Sequence, residues 1–248
     1  MDGQMIDPMA WAYETVAAVY EAHRPSYPPS AVARIVHELG IGAGTTVADV
    51  GAGTGKFTRL LVPTAASIIA VEPVSAMRRE LRRALPGVGV VGGVARALPL
   101  ADTSLDALTV AQAFHWFADP ETVSEFRRVL RPDRKLGLIW NRRDRSSPVW
   151  REIEAVIAPF RPERRGDWKT SLTDAGFDSL NRAVFEWEYR AEPARIRSRV
   201  ASMSWIAQLS DDTRDGLLDD VQHIAMQYAA DGLVDMTEST EVYWTRRL

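Results

Sequence analysis

The 248-residue sequence contains no cysteine, which excludes disulfides, thiolate nucleophiles and cysteine-based zinc sites together. Histidine is scarce as well. His23, His37, His115 and His223 are the four present, none at H-E-x-x-H spacing, so no metal site is expected. No stretch approaches eighteen uninterrupted apolar residues, and the opening run MDGQMIDPMAWAYE carries acids instead of an apolar core. Neither a signal peptide nor a membrane span is therefore expected, and the cytoplasm is the default location. A dominant charge of one sign is missing too. With a formal net charge of -3 there is no global attraction to phosphate backbones, so a nucleic-acid partner is disfavoured and a small-molecule substrate is the better expectation. Nothing in the sequence speaks to oligomeric state.

What is present suits one substantial globular domain, with 46% apolar and 25% charged residues. From Thr45 onward, short β-branched apolar runs alternate with longer amphipathic stretches, the pattern of a parallel sheet covered by helices. The pattern predicts strands at Thr46–Val50, Ser67–Val71, Val88–Val91, Leu105–Ala111 and Lys135–Trp140. Helices are predicted at Ala31–Leu39, Lys56–Leu61, Val74–Leu85 and Pro120–Leu130. Beyond Trp140, the residues Asn141–Pro148 read as a charged loop and Val149–Ile157 as a helix. A strand at Ala183–Tyr189, helices at Pro193–Met203 and Asp212–Ala230, and a last strand at Glu241–Arg246 complete the pattern. The expected fold class is α/β, a doubly wound, seven-stranded, mostly parallel sheet with a C-terminal helical cap on the substrate side. Its expected parts are 1–44 (helices and a flap), 45–141 (a ligand-binding core) and 142–248 (completion of the sheet plus the cap).

The most informative segment is Val47-Ala48-Asp49-Val50-Gly51-Ala52-Gly53-Thr54-Gly55, where a buried strand meets a helix. Glycines there allow a sharp turn and the close approach of a ligand. A Walker A loop needs four residues between its first glycine and Gly-Lys; here three separate Gly51 from Gly55-Lys56, and Phe57 replaces the Ser or Thr. A dinucleotide fingerprint needs a third glycine where Lys56 stands. S-adenosylmethionine offers no phosphate to cradle and suits the turn better. Asp49, two residues before Gly51, can accept from the turn amides or face the ligand ammonium. Glu72, 17 residues after Gly55 at the end of the second strand, can accept from ribose hydroxyls.

Beyond the turn, the segments VADVGAGTGKFTRLL, VEPVSAMRREL, GVARALPLADTSLDALTVAQAFHWF and FRRVLRPDRKLGLIW resemble the successive motifs of class I S-adenosylmethionine-dependent methyltransferases of the type 11 group. Together with Tyr20-Glu-Ala-His-Arg-Pro-Ser-Tyr-Pro, the chain is most similar to the trans-aconitate and ubiquinone/menaquinone methyltransferase-like branches. The resemblance implies that Gly51, Ala52, Gly53 and Gly55 line the methionine half of the cofactor, Glu72 the ribose, and Pro73 and Met77 the adenine. It places Val94 where a polar residue usually meets the adenine amine and Ala95 where a backbone amide reaches the ring. Val94 cannot supply that bond, a loss of roughly 0.5–1.5 kcal/mol. Arg96 stands where the family often has an acid. Gln112 and Ala113, ending the fourth strand, are implied near the methionine moiety.

Further residues are candidates by position. Tyr20–Pro28 is expected to act as a flap, its Arg-Pro and Tyr-Pro steps stiffening an extended backbone, with Arg24 or Tyr20 meeting the methionine carboxylate. His115 is the candidate base or polar contact, and equally a structural residue. Trp116, Trp140 and Trp205 are candidate substrate walls, and Arg142 and Arg143 a candidate fork for carboxylate or phosphate oxygens. Arg127 to Arg165 holds 12 Lys or Arg against 5 acids, consistent with a basic rim or with a solvated helix face. The expected function is methyl transfer to a small acceptor, anionic or planar aromatic, by in-line displacement. A protein or nucleic-acid methyltransferase, and a non-catalytic domain that binds the cofactor, are the alternatives.

Overall fold

The buried runs of the sequence do assemble into parallel strands. The computed structural model describes residues 24–144, 146–162, 168–173 and 176–248; Tyr20, His23 and Arg145 lie outside them. Strand β1 (Thr46–Val50) is buried along nearly its whole length and is flanked by β2 (Ser67–Val71) and β4 (Leu105–Ala111), both parallel to it. Such two-sided burial is what continuous apolar strands require. With β3 (Gly89–Val91), β5 (Leu130–Arg143), β6 (Asn181–Ala191) and β7 (Val234–Arg246) they form one seven-stranded sheet in the order β3-β2-β1-β4-β5-β7-β6, in which β7 alone runs antiparallel to its neighbours.

Strand β5 departs from expectation at both ends. It runs through Leu130–Arg143 instead of Lys135–Trp140: at its start Leu130 pairs with Leu105 of β4, and at its end β7 pairs with it residue by residue as far as Arg143↔Glu238. The stretch Asn141 to Arg143, expected as a loop, is therefore strand, and β7 begins at Val234 rather than Glu241.

Helix α1 (Pro29–Leu39) starts with Pro at its first turn and ends at Gly40, whose left-handed backbone (φ 64°) lets its N–H reach the His37 and Val36 carbonyls. Helices α2 (Thr58–Leu61), α3 (Ser75–Ala84) and α4 (Pro120–Val129) follow the glycine turn, β2 and β4. Asp119 caps α4 by accepting from the Thr122 N–H at 2.8 Å. Helix α5 (Pro148–Ile157) follows β5, and a short helix α6 (Trp168–Thr173), absent from the sequence-based expectation, follows in turn.

The cap is made by α5, α7 (Pro193–Ala201), α8 (Ser204–Ala207) and α9 (Asp211–Gln227). Trp150, Ile153, Ile196, Val200, Ile206 and Val221 pack there with Val234 and Met236 of β7, a cluster separate from those on the two faces of the sheet. The cap thus rests on the start of β7 and the end of its neighbour β6, where Ala191 joins the cluster. Among the described residues no helix is long and apolar enough to cross a membrane.

Candidate functional site

In open α/β sheets the strand order reverses at one point, and the crevice there lies outside the carboxyl ends of the strands. Here the reversal falls between β1 and β4. A cleft open to solvent occupies it, lined by Gly51, Ala52, Gly53, Lys56 and Phe57 after β1, Ala111 and Gln112 at the end of β4, and Asn141 on β5. Arg24, Pro25 and Tyr27 form one wall, and Arg199 of α7 faces it from the cap.

The glycine turn is held from below. Gly51 and Ala52 both donate to the Val71 carbonyl, at 2.8 and 3.2 Å. Gly51 is left-handed (φ 69°), and a Cβ on it would sit 2.8 Å from the Ala113 Cβ. Gly53 is left-handed as well (φ 59°), but a Cβ there would meet nothing within 4 Å, so it faces open space.

Glu72 closes β2 almost completely buried, 6% exposed. One carboxylate oxygen accepts from the Gly53 N–H and the other from the Val74 N–H, each at 2.9 Å. Burial pushes this carboxyl up to about 7, against the two amide donors and the Arg78 guanidinium that favour its charge. Each oxygen retains a lone pair, as a ribose diol would require.

Asp49 needs correction. It faces neither the turn amides nor the cleft: fully buried, it accepts from the Thr58 hydroxyl at 2.6 Å and the Thr109 hydroxyl at 2.9 Å. Its burial raises the carboxyl to about 6 despite those bonds. It ties β1, α2 and β4 together beneath the turn.

Residues 24–27 are fixed over the cleft by several bonds. The Lys56 ammonium donates to the Arg24 carbonyl at 2.8 Å, the Asn141 amide to the Ser26 carbonyl at 3.0 Å, and Arg24 itself to the Ser202 hydroxyl at 2.9 Å. Tyr27 packs edge-on to Phe57, ring centroids 5.3 Å apart. Arg24 is thus brought beside Gly51 and Gly53, while Tyr20 falls outside the described residues. Gln112, at the carboxyl edge of β4, holds a left-handed backbone (φ 59°) uncommon for a non-glycine residue, and sparsely populated conformations of this kind concentrate at functional sites.

The remaining candidates lie in several places. Met77 is buried with Val74 and Ala76, beside a half-buried Pro73. Val94 bridges to Ala97, and Ala95 packs into the main core. Arg96, where an acid was the family expectation, pairs with Asp119 at 3.0 Å. His115 is exposed on a single turn, Phe114–Trp116, with its ring 4.8 Å from that of Trp116. Neither lines the cleft described above.

Three expected substrate contacts are corrected. Trp140 is a core residue, 3% exposed and packed on Trp168 with ring centroids 4.7 Å apart. Arg142 is committed to Glu241, at 3.0 Å, which Arg182 also binds. Trp205 packs against the cap cluster under the Arg161 guanidinium, 5.9 Å from it. Arg143 points into the cap, beside Met203 and Glu154. The residues missed from sequence are Lys56, Asn141 and Arg199. Only Arg199 carried a signal, standing in PARIRSRVA beside Ile196 and Val200, where an apolar residue would suit the buried stripe.

Residues 48–137 match the model of the family described as a methyltransferase domain. The chain is 33% identical over 218 residues to a methyltransferase-like protein of Schizosaccharomyces pombe, covering 86% of this chain and 85% of that one. It is 35% identical over 225 residues to a methyltransferase of Mycobacterium tuberculosis, covering 90% and 88%. The chain belongs to the methyltransferase-domain family. Its methyl donor is S-adenosylmethionine. The fold of this methyltransferase is shared by Haemonchus contortus phosphoethanolamine N-methyltransferase 2, solved with phosphomonomethylethanolamine and S-adenosylhomocysteine. There the TM-score is 0.55 at 16% identity, over 99% of this chain and 58% of the other.

Proposed function

We propose that this methyltransferase acts on a small-molecule acceptor of anionic or planar character, held in the cleft between the glycine turn and the cap. The observation that carries the proposal is the place and lining of the cleft, which opens at the carboxyl edge of β1 and β4 between the glycine turn and the cap and is walled by Arg24, Tyr27 and Arg199.

The cradle suits the cofactor. Gly51 and Gly53 leave no side chain between backbone and ligand, Glu72 offers acceptor positions at the ribose end, and Arg24 a cation at the methionine end. S-adenosylmethionine supplies a methyl carbon made electrophilic by a sulfonium sulfur. Transfer forms the bond from acceptor atom to methyl carbon while the carbon–sulfur bond breaks, its electron pair staying on sulfur. A carboxylate or phenolate acceptor has no proton to lose, so these residues need only align the acceptor and exclude water.

The test is transfer of radiolabelled methyl from S-adenosylmethionine in the presence of a metabolite extract. Label in compounds below about 1 kDa supports the reading; label confined to protein or nucleic acid overturns it.

A further inference from the structure

Between the cleft and the cap lies a group of arginines that the glycine turn does not use. Strand periodicity puts Arg143 on the same face of β5 as Asn141, which lines the cleft, and directly across from Glu238 on β7. Glu238 is wholly buried and accepts from both terminal nitrogens of Arg199, at 2.7 and 2.9 Å, and from the Trp150 indole N–H at 2.9 Å. The Trp150 ring carries two guanidinium groups, Arg199 at 4.9 Å and Arg143 at 5.5 Å from its centroid.

Two details mark this group as built for an additional anion. Arg199 is only 4% exposed and lines the cleft, yet its Nε has no hydrogen-bond partner. Buried donors of this kind are nearly always satisfied. Arg143 places one terminal nitrogen 3.5 Å from the Met203 thioether, a weak acceptor, and the other 3.5 Å from Glu154, beyond good hydrogen-bonding distance. Glu154 also binds Arg161 more closely, so three guanidinium groups share two carboxylates. Arg24 adds a fourth, bonded to Ser202 next to Met203. Burial first, then repulsion from Arg199, Arg24 and Arg161, lowers Arg143 to about 10, with Glu154 opposing the fall.

We propose that Arg143 and Arg199, on the Trp150 floor, form an anion subsite that takes a carboxylate or phosphate group of the methyl acceptor at the cap end of the cleft. The proposal rests on the small-acceptor reading and makes the acceptor anionic. Arg199 is preorganised by Glu238 and Trp150, and the flat fork of Arg143 can turn from Met203 to a bidentate partner. Only one other source of the same chemistry lies at hand, the carboxylate of the cofactor's methionine half.

The test uses the full chain saturated with S-adenosylhomocysteine and titrated calorimetrically with succinate and with inorganic phosphate. The wild type is expected to bind one anion, and Arg143→Gln at least tenfold more weakly, with Arg143→Lys intermediate and S-adenosylhomocysteine affinity unchanged within about twofold. Arg143 is chosen because removing Arg199 would strand the buried Glu238 and threaten folding; Arg199→Lys provides the second, charge-preserving variant and is expected to weaken the anion while retaining the fold. Equal anion binding in wild type and Arg143→Gln overturns the subsite. Loss of S-adenosylhomocysteine affinity in Arg143→Gln, with succinate competing against it, assigns the arginines to the cofactor and overturns the proposal as well. Arginine-dependent anion binding together with label transferred only to macromolecules upholds the subsite and overturns the small-acceptor reading alone.

Discussion

Replacing Glu72 with Gln separates two effects of one buried carboxyl. In the absence of cofactor, Glu72 ionises at about 7 rather than at the ordinary 4.5. A folded-state pKa above the unfolded value means a contribution to stability that is complete below pH 4.5 and lost as pH rises through about 7. The effect is on the order of 3 kcal/mol. The apo wild type should therefore lose stability between pH 5 and pH 8, with a second share from Asp49, raised to about 6. Glu72→Gln removes the Glu72 share and flattens the slope. Cofactor binding should respond in the opposite sense, because hydroxyl donors need the ionised form. Affinity for S-adenosylhomocysteine should fall about fivefold from pH 7 to pH 6 in the wild type. In Glu72→Gln it should be weaker by roughly 1.5–3 kcal/mol, about 10- to 150-fold, and insensitive to pH in this window. Urea unfolding at pH 5 and 8 gives the first quantity and calorimetry at pH 6, 7 and 8 the second. A variant that keeps both the wild-type dissociation constant and the wild-type pH slope would refute Glu72 as the ribose acceptor.

Other substitutions test neighbouring parts of the account. Gly51→Ala puts a Cβ 2.8 Å from that of Ala113 on a left-handed backbone. It should cost at least about 1–2 kcal/mol in urea unfolding and abolish measurable cofactor binding, whereas a neutral result would show that the turn is looser than described. Trp140→Ala should lower stability by about 3–5 kcal/mol as a core deletion; a fully stable variant with altered acceptor preference would restore Trp140 to the substrate wall. Asp49→Asn keeps one acceptor for the two hydroxyls and removes a buried ionisable group, so its stability should vary less between pH 5 and 8 than that of the wild type, with cofactor affinity changed by less than about threefold. A large loss of affinity would place Asp49 against the ligand.

The ligand-binding half of the molecule was legible because its information is local. Strands Thr46–Val50, Ser67–Val71 and Leu105–Ala111 are short, mostly buried apolar runs, and a turn dense in glycine marks where the first of them ends. Elements set by distant partners were harder to read. The residues Asn141 to Arg143 look like loop but are strand because β7 pairs with them, from Asn141↔Thr240 to Arg143↔Glu238. Asp49 was placed correctly along the chain but not in depth, since a two-residue separation from the turn does not say that Thr58 and Thr109 enclose its carboxylate. Arg142 illustrates the same limit, because its partner Glu241 is 99 residues away. For Arg199, the helical stripe hinted at burial, but the meeting with Glu238 and Trp150 depends on how the cap seats on β7.

The central claim is that the cleft lined by Gly51–Gly53 and Arg24, with Glu72 bonded to the Gly53 N–H beside it, holds an adenosyl ligand rather than a dinucleotide. Isothermal titration of the purified chain with S-adenosylhomocysteine, alongside NAD, tests it most directly. The account predicts one S-adenosylhomocysteine site per chain and no heat with NAD. Tight NAD binding with no response to S-adenosylhomocysteine would contradict it.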